Sequence, residues 1–93
     1  MATYVVLFDW TEQGIKGYKD SPARVDAARE QMAEVGVKIK DIYWTLGGHD
    51  LVGIVEAADD ESLTKALLAL GAAGNIRTTT LRAFSQAEFA GLI

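Results

Sequence analysis

The sequence contains no cysteine and only one histidine among its 93 residues. Without cysteine there is no disulfide framework, no thiolate nucleophile and no cysteine-based metal site. One histidine does not make a set of metal ligands, and the acidic residues Glu56, Asp59 and Asp60 fit the start of a helix better than a ligand set. We therefore expect no bound metal and no cofactor.

The chain also has few basic residues, and these are scattered. Nine lysines and arginines against 13 aspartates and glutamates give a formal charge of −4. Nucleic-acid binding requires a concentrated basic face. We therefore expect no nucleic-acid partner.

Long apolar runs are absent as well. The longest run of small and apolar residues, 66–74, is far shorter than the roughly 20 residues of a membrane-spanning helix. The N-terminus lacks the basic region, apolar stretch and cleavage site of a signal peptide. These absences predict a cytoplasmic protein with no membrane partner.

The composition is that of one folded domain, 1–93. Hydrophobic residues make up 49% of the chain and charged residues 24%, as in an ordinary globular domain. The length leaves no room for a second core. A domain of this size buries only about two-thirds of the surface of its unfolded chain, so its own core is marginal.

The stretch 46–51, Leu-Gly-Gly-His-Asp-Leu, predicts a tight turn in the middle of the chain. Gly47 and Gly48 adopt positive φ angles without the steric cost of a Cβ, and Asp50 can bond the backbone of the turn. The flanking runs at 42–45 and 51–55 are strand-like. We therefore expect an antiparallel hairpin.

Strands and helices are predicted on both sides of this hairpin. The strands lie at 3–10, 37–46, 51–57 and 76–84. A Ser-Pro pair at 21–22, with the serine as N-cap, begins a helix that ends at Gly36. A second helix at about 59–70 is stopped by Gly71 and Gly74. The order β-α-β-β-α-β predicts an α+β, ferredoxin-like sandwich with a four-stranded antiparallel sheet.

Each predicted helix has an apolar stripe for the sheet and a polar side for water. In the first helix the buried stripe is predicted as Val25, Ala28, Met32 and Val35. Its wet side is predicted as Arg24, Asp26, Glu30 and Glu34. In the second helix the inward residues are predicted as Leu63, Leu67 and Leu70.

The C-terminal segment carries the most specific local signal. Ser85 and Glu88 form a capping box, in which each side chain satisfies a backbone amide, and Phe84 with Phe89 forms a hydrophobic staple. These features predict a short terminal helix that presents Phe89, Leu92 and Ile93. We expect this helix to dock against a partner subunit or against the end of a barrel.

Two helices cover only one face of a four-stranded sheet, yet the first strand is apolar on both. One face carries Tyr4, Val6, Phe8 and Trp10, and the other carries Thr3, Val5, Leu7 and Asp9. Leaving one face wet, at about 25 cal/mol per Å², costs several kcal/mol, comparable to the stability of a small domain. We therefore expect a homodimer or higher oligomer packed sheet to sheet. Which face of the first strand lies inside is left open.

Four blocks of the sequence, 5–16, 19–22, 47–52 and 75–84, resemble the GYD domain family. The resemblance spans nearly the whole chain and implies a dimeric α/β barrel, in which two ferredoxin-like sheets face each other. The tripeptide that names the family, Gly-Tyr-Asp, reads Gly-His-Asp at 48–50. The family implies no single established activity. More distantly, the Gly-His-Asp turn and the threonine-rich last strand resemble the ligand-sensing domain of the Lrp/AsnC regulators, without their DNA-binding helices.

Residues with candidate roles in a site lie around the hairpin and the strand ends. His49 is the only side chain that ordinarily titrates near neutral pH. We favour a solvated turn residue, and the alternative is a base oriented by Asp50. Asp9 ends the first strand and is either a functional carboxylate inside the barrel or a structural group that caps the turn at Thr11 or pairs with Arg77 or Arg82. The structural interpretation is favoured.

Three aromatic residues, Trp10, Tyr43 and Trp44, either wall a pocket for a flat ligand or fill core and interface, and the second interpretation is favoured. The sequence has no Gly-x-Ser-x-Gly elbow and no phosphate-binding loop. No catalytic residue is assigned. The candidate ligand-binding residues are Asp9, Trp10, Tyr43, Trp44, His49, Asp50, Arg77 and Arg82.

These observations favour a non-catalytic module for small-molecule binding or assembly, with itself and a small organic ligand as partners. The alternative is a cofactor-independent enzyme, monooxygenase-like or isomerase-like, acting on an aromatic or polyketide-like substrate in the inter-sheet cleft. That analogy is to other dimeric barrels and is at fold level only. A purely structural oligomer is the third hypothesis. An open cleft lined by Asp9, an arginine and an aromatic residue favours the enzyme, and a solid apolar interior favours assembly.

Overall fold

The computed structural model describes all of Met1–Ile93. A single 3₁₀ turn, Tyr18–Asp20, stands between the first two helices. The elements in order are β1 (Ala2–Trp10), α1 (Glu12–Lys16), α2 (Ser21–Ala33), β2 (Lys38–Trp44), β3 (Leu51–Ala57), α3 (Asp60–Ala72), β4 (Ile76–Ala83) and α4 (Gln86–Leu92). Long helices follow β1 and β3, so the ferredoxin-like order is confirmed, with short helices α1 and α4 added to it.

The four strands form one antiparallel sheet in the order β2-β3-β1-β4. β1 pairs on both sides, and its Val6 lies opposite Gly53 of β3 and Thr80 of β4. The hairpin between β2 and β3 is present as predicted, with a bulge in β2 between Ile39 and Asp41. β2 is an edge strand, and its charged side chains fit that position.

The core lies between the sheet and the helices α2 and α3. Alternation along β1 sends Tyr4, Val6 and Phe8 into it, while the residues between them face away. The buried cluster is Tyr4, Val6, Phe8, Met32, Val37, Ile39, Leu51, Val55, Ala57, Leu63 and Ala66. The face that carries Val5 and Leu7 is therefore the one that the helices leave open.

The uncovered side of the sheet is referred to below as the open face. The pairing register places on it Thr3, Val5, Leu7, Asp9, Lys38, Asp41, Tyr43, Val52, Ile54, Glu56, Arg77, Thr79 and Leu81. Tyr43 is 61% exposed and Leu81 50% exposed, and the apolar residues between them are partly exposed. With an extent of only 16 Å along its shortest axis, the protomer is one sheet and one helical layer thick.

The start of α2 differs from the prediction that Ser21 is its N-cap. The preceding 3₁₀ turn already gives Asp20 helical φ and ψ angles, so Asp20 is the cap residue and Ser21 is the first residue of the helix. A capping side chain needs an extended backbone at its own position, which Ser21 lacks. Ser21 is instead buried, and its Oγ accepts a hydrogen bond from Trp44 Nε1 at 3.0 Å.

Three further details of the helices were predicted wrongly. Val35 lies beyond the end of α2 and is exposed, although Gly36 does take the left-handed conformation with φ of 76°. Arg24 is partly buried rather than wet. Gly71 lies inside α3, which continues to Ala72, and Gly74 takes the left-handed conformation after it, with φ of 88°.

The capping box of α4 is confirmed in full. Ser85 Oγ accepts a hydrogen bond from the Glu88 amide at 3.0 Å, and Glu88 Oε1 accepts one from the Ser85 amide at 2.8 Å. No residue of α4 is buried within the protomer. Its apolar residues Phe89 and Leu92 face water, as does the terminal Ile93. Docking against another subunit stays a prediction.

Candidate functional site

A histidine–aspartate pair lies at one end of the open face. His49 Nδ1 is 3.0 Å from Asp9 Oδ1 and 3.3 Å from Oδ2. An ionised carboxylate offers only acceptors, so Nδ1 carries the proton of this contact. In the neutral ring, Nε2 then has a free lone pair. The side chains of His49 and Asp9 are 41% and 40% exposed, so the pair is accessible from the open face.

The turn between β2 and β3 brings this pair together. Its closing bond runs from the Thr45 amide to the Asp50 carbonyl, at 2.8 Å. The Asp50 amide donates to the Phe8 carbonyl at 2.9 Å, and Asp50 Oδ2 accepts from the Trp10 amide at 2.8 Å. Asp50 thus fixes the turn to the end of β1, and this places His49 beside the carboxylate of Asp9.

Two details of this turn differ from the sequence-based expectations. Asp9, and not the neighbouring Asp50, contacts the imidazole, because the carboxylate of Asp50 is already bonded to β1. Only Gly47 of the two glycines has a positive φ angle, 122°. The turn therefore needs glycine at one position and tolerates a side chain at Gly48, where a Cβ would meet nothing within 4 Å.

Neither arginine of β4 pairs with Asp9. Arg77 lies opposite Asp9 in the strand register, but its Nη1 donates to the carbonyls of Gly71 and Ile76 at 3.3 and 3.0 Å. Arg82 lies towards the other end of β4, where its guanidinium stacks over the Phe84 ring at 4.3 Å. The eight predicted site residues thus do not form one site.

The three aromatic candidates are also on different surfaces. Tyr43 is on the open face. Trp44 is on the other side of the sheet, held by its hydrogen bond to Ser21. Trp10 lines an apolar cavity between the sheet and α2. No common pocket is formed by these three rings.

A second charged contact lies at the other end of the sheet, on its helix side. The hydroxyl of the buried Tyr4 donates to Asp60 at the start of α3. This hydrogen bond raises the pKa of Tyr4, and burial of the ring raises it further. At the starts of α3 and α4, backbone hydrogen bonds to the carboxylates lower the pKa values of Asp59 and Glu88.

The cavity beside Trp10 was not predicted from the sequence. It has a volume of ≈210 Å³ and is lined mainly by apolar residues from α2 and from all four strands, with Leu70 of α3. It exists because α2 presents alanines and Arg24 to the sheet where larger apolar residues would fill the space. The alanine-rich composition of α2 was the signal that could have revealed it.

No group of three or more histidine, cysteine, aspartate or glutamate residues is placed to hold a metal ion. None of the helices is both long and apolar enough to span a membrane.

Comparisons with known proteins place this fold in a family. A curated relative from Thermus thermophilus, named glutamine synthetase and cystathionine beta-lyase binding protein, is 32% identical over 89 residues, covering 95% of this chain and 94% of its own. The crystal structure of a Thermus thermophilus protein matches with a TM-score of 0.55 and 31% identity, over 91% of this chain and 95% of that one.

The Mycobacterium tuberculosis leucine response regulatory protein shares the fold, with a TM-score of 0.69 at 19% identity over 91% of this chain. The match covers 51% of the regulator, so this chain spans about half of its length. The family model described as GYD domain matches residues 4–93. The chain therefore belongs to the GYD domain family.

Proposed function

We propose that this protein is a non-catalytic binding module that pairs with a second copy of itself through the open face and, as a dimer, binds other proteins. The observation that carries the proposal is the open face itself. Its centre is apolar, with Val5, Leu7, Val52 and Ile54 flanked by the exposed Tyr43 and Leu81. Covering such a surface is favourable by about 25 cal/mol per Å².

The charges around this apolar centre favour a second copy as its cover. Lys38 lies directly opposite Glu56 in the register, and Asp41 lies on the same edge strand as Lys38. Most dimers have two-fold symmetry, in which the same surface of each copy faces the other. A rim with both positive and negative side chains can then place opposite charges against each other. A partner of one charge sign would gain less from this rim.

The size of the sheet indicates that α4 takes part in the same interface. Four strands about 4.8 Å apart, with about eight residues of about 3.3 Å each, present a projected area of roughly 500 Å². A stable interface buries roughly 800 Å² of accessible surface on each partner. Side chains that project from the sheet make its accessible area larger than its projected area. The exposed Phe89, Leu92 and Ile93 add further apolar area.

The binding of other proteins is supported by the Thermus relative, whose name describes it as binding two enzymes. The first partners to test with this chain are therefore a glutamine synthetase and a cystathionine beta-lyase. In this proposal the dimer is the active form, because pairing removes the open face from water and fixes the relative positions of two identical surfaces.

Sedimentation velocity tests the pairing step. We expect the wild-type chain to be a dimer or larger at micromolar concentration. Leu81→Asp should be a folded monomer, because a side chain that is half exposed in the protomer tolerates a charge there. Leu68→Asp is the matched control: Leu68 is 69% exposed on α3, on the other side of the molecule. A wild-type monomer, or two variants with the same sedimentation, contradicts the pairing.

Isothermal titration calorimetry with purified glutamine synthetase, and separately with cystathionine beta-lyase, tests the binding step. We expect heat of binding with the wild type and with Leu68→Asp, and at least tenfold weaker binding with Leu81→Asp. Equal binding by the dimeric and monomeric forms would show that pairing is irrelevant to recognition. Absence of binding to both enzymes would reject these two partners.

The second candidate function is cofactor-independent catalysis, which the Asp9–His49 contact favours. With Nδ1 directed to Asp9, Nε2 of His49 is available as a general base at the rim of an inter-sheet cleft. Turnover of an aromatic or polyketide-like ketone that His49→Gln and Asp9→Asn both abolish, with the dimer intact, would support it. Turnover unaffected by either variant would refute this assignment.

A further inference from the structure

The cavity between α2 and the sheet is large for a chain of this size. Its volume of ≈210 Å³ is well over ten times the roughly 10–15 Å³ that one water molecule needs. The space is partly open to solvent, and most of its lining is apolar, with Phe8, Ile42 and Ile76 on the sheet side. A ligand with an apolar body that displaces water from it therefore removes apolar surface from water, which is favourable.

One charged group lines this otherwise apolar space. Arg24, from the first turn of α2, donates from Nη2 to the carbonyls of Gly14 and Gly17 at 3.2 and 2.5 Å. These bonds hold the end of the guanidinium in place. Its Nε, nearer the helix, is buried and has no protein acceptor. A buried donor without an acceptor is unfavourable, so an acceptor that enters the cavity gains a preformed partner.

Arg24 also forms no ion pair within the fold, because no carboxylate lies within ion-pair distance of it. Both of its hydrogen bonds go to neutral carbonyls. Arginine stays protonated at any physiological pH. A hydrogen bond from this group to an anionic oxygen is stronger than one to a neutral oxygen. An anionic acceptor is therefore preferred.

We propose that this cavity binds a small carboxylate with an apolar body, aromatic or aliphatic. One carboxylate oxygen accepts the hydrogen bond of Arg24 Nε, and the body packs against Phe8, Trp10, Ile42 and Ile76. The volume is below the 300–1,000 Å³ that is usual for drug-sized ligands, so the body is about the size of a phenyl ring with a short chain. This site goes beyond the protein-binding function, since it lies on the opposite side of the sheet from the open face.

Titrations followed by ¹H–¹⁵N NMR test the proposal with four probes. They are 3-phenylpropionate and hexanoate, which combine charge and body, 3-phenylpropionamide, which lacks the charge, and acetate, which lacks the body. We expect both larger carboxylates to shift the resonances of Trp10 and Ile76 and to bind at least tenfold more tightly than the amide or acetate. Equal binding of the amide, or shifts confined to the open face, would overturn the proposal.

Two variants of α2 separate cavity binding from surface binding. Ala28 lines the cavity, whereas Ala23 is exposed on the same helix and does not. Ala28→Leu should fill the space and abolish the response to 3-phenylpropionate, and Ala23→Leu should leave it unchanged. Both substitutions keep the charge of Arg24. Unchanged binding by Ala28→Leu would place the probe outside the cavity and refute the proposal.

Arg24 is tested separately, because its bonds to Gly14 and Gly17 also support the fold. In Arg24→Gln we expect the preference for 3-phenylpropionate over its amide to fall from at least tenfold to near one. If that variant does not fold, Arg24→Lys keeps the charge but lacks the Nε donor, and we expect it to bind 3-phenylpropionate at least tenfold more weakly than the wild type. A preference retained in folded Arg24→Gln, or undiminished affinity in Arg24→Lys, contradicts the role of Arg24. If the chemical shifts of cavity residues change with protein concentration but not with any of the four probes, the occupant is a second copy of the chain instead.

Discussion

Asp50 holds the central turn in place through its carboxylate and its backbone. The carboxylate accepts the Trp10 amide, while the backbone of the same residue bonds Phe8 and Thr45. The bonds to Trp10 and Phe8 fix the β2–β3 turn onto β1, and the bond to Thr45 closes the turn. His49, one position earlier, is held as a consequence of this arrangement. Its contact with Asp9 depends on the turn, whereas the turn does not depend on the contact.

The first prediction compares the two residues. Asp50→Ala should lower the free energy of unfolding by about 1.5–3 kcal/mol, because it removes a charged acceptor from a backbone amide. His49→Ala should lower it by less than about 1 kcal/mol, because the side chains of His49 and Asp9 are 41% and 40% exposed, and contacts between exposed polar groups contribute little. Urea unfolding of both variants measures the difference. A larger loss for His49→Ala would mean that the imidazole, and not Asp50, holds the turn.

The second prediction concerns Tyr4, whose hydroxyl is bonded to Asp60. Its pKa in the folded protein is raised above the ordinary value of 10.0. A raised folded pKa contributes stability that is fully present below pH 10 and is lost as the pH rises towards the folded pKa. We expect Tyr4→Phe to cost about 1 kcal/mol near neutral pH, because water can replace the lost donor at the exposed Asp60.

Urea unfolding of the wild type and Tyr4→Phe between pH 8 and 11 measures this linkage. The difference in unfolding free energy between the two proteins should be constant up to about pH 10 and should shrink above it. Tyr18→Phe provides the control, because Tyr18 is exposed. A difference that grows with pH would contradict the sign of the shift.

At the scale of residues, contacts between neighbours in sequence were predictable and contacts between distant residues were not. The capping box of Ser85 and Glu88 was predicted correctly because both partners lie within one helical turn. The contact of His49 with Asp9 joins residues 40 positions apart and requires the register of three strands. Arg24 was predicted to face water because of its position in the helical period. Its hydrogen bonds to the carbonyls of Gly14 and Gly17 come from another segment of the chain, and helical periodicity cannot predict them.

At the scale of elements, the strands were predicted better than the helix ends. β3 has the predicted bounds, because turn residues and acidic residues mark both its ends. The start of α2 was misplaced because a 3₁₀ turn leads directly into it and removes the need for a side-chain cap. α3 passes through Gly71 because a glycine within a helix costs only about 1 kcal/mol, which packing of Leu63 and Ala66 offsets.

The third prediction concerns α4. A cap contributes only about 1 kcal/mol, and a helix of two turns is not stable in water without packing. Because no residue of α4 is buried in the protomer, deleting 89–93 should loosen the dimer at least tenfold and change the melting temperature of a monomeric Leu81→Asp background little. Sedimentation and thermal melts of the truncated chain measure both effects. An unchanged dimer would mean that α4 is a frayed end.

For the whole molecule, fold class and one-sided packing followed from sequence patterns alone. Alternating residues on apolar strands and two amphipathic helices require a layer of helices on one face of a sheet. The face that stays open was not predictable, because both faces of β1 are apolar. The cavity was not predictable either, because it depends on how far α2 stands from the sheet, and periodicity carries no information on that distance.

The last prediction concerns how stability depends on protein concentration. If the open face is buried between two copies, unfolding and dissociation are coupled, and the melting temperature rises with concentration. A tenfold increase stabilises the dimer by about 1.4 kcal/mol, or about 0.7 kcal/mol per protomer. For a domain of this size, that corresponds to a rise of about 3–6 °C. Leu81→Asp should melt at a temperature independent of concentration, and Leu68→Asp should follow the wild type. Calorimetric scans at three concentrations measure how the melting temperature changes with concentration. A wild-type melting temperature that is independent of concentration would mean that the open face stays exposed to solvent.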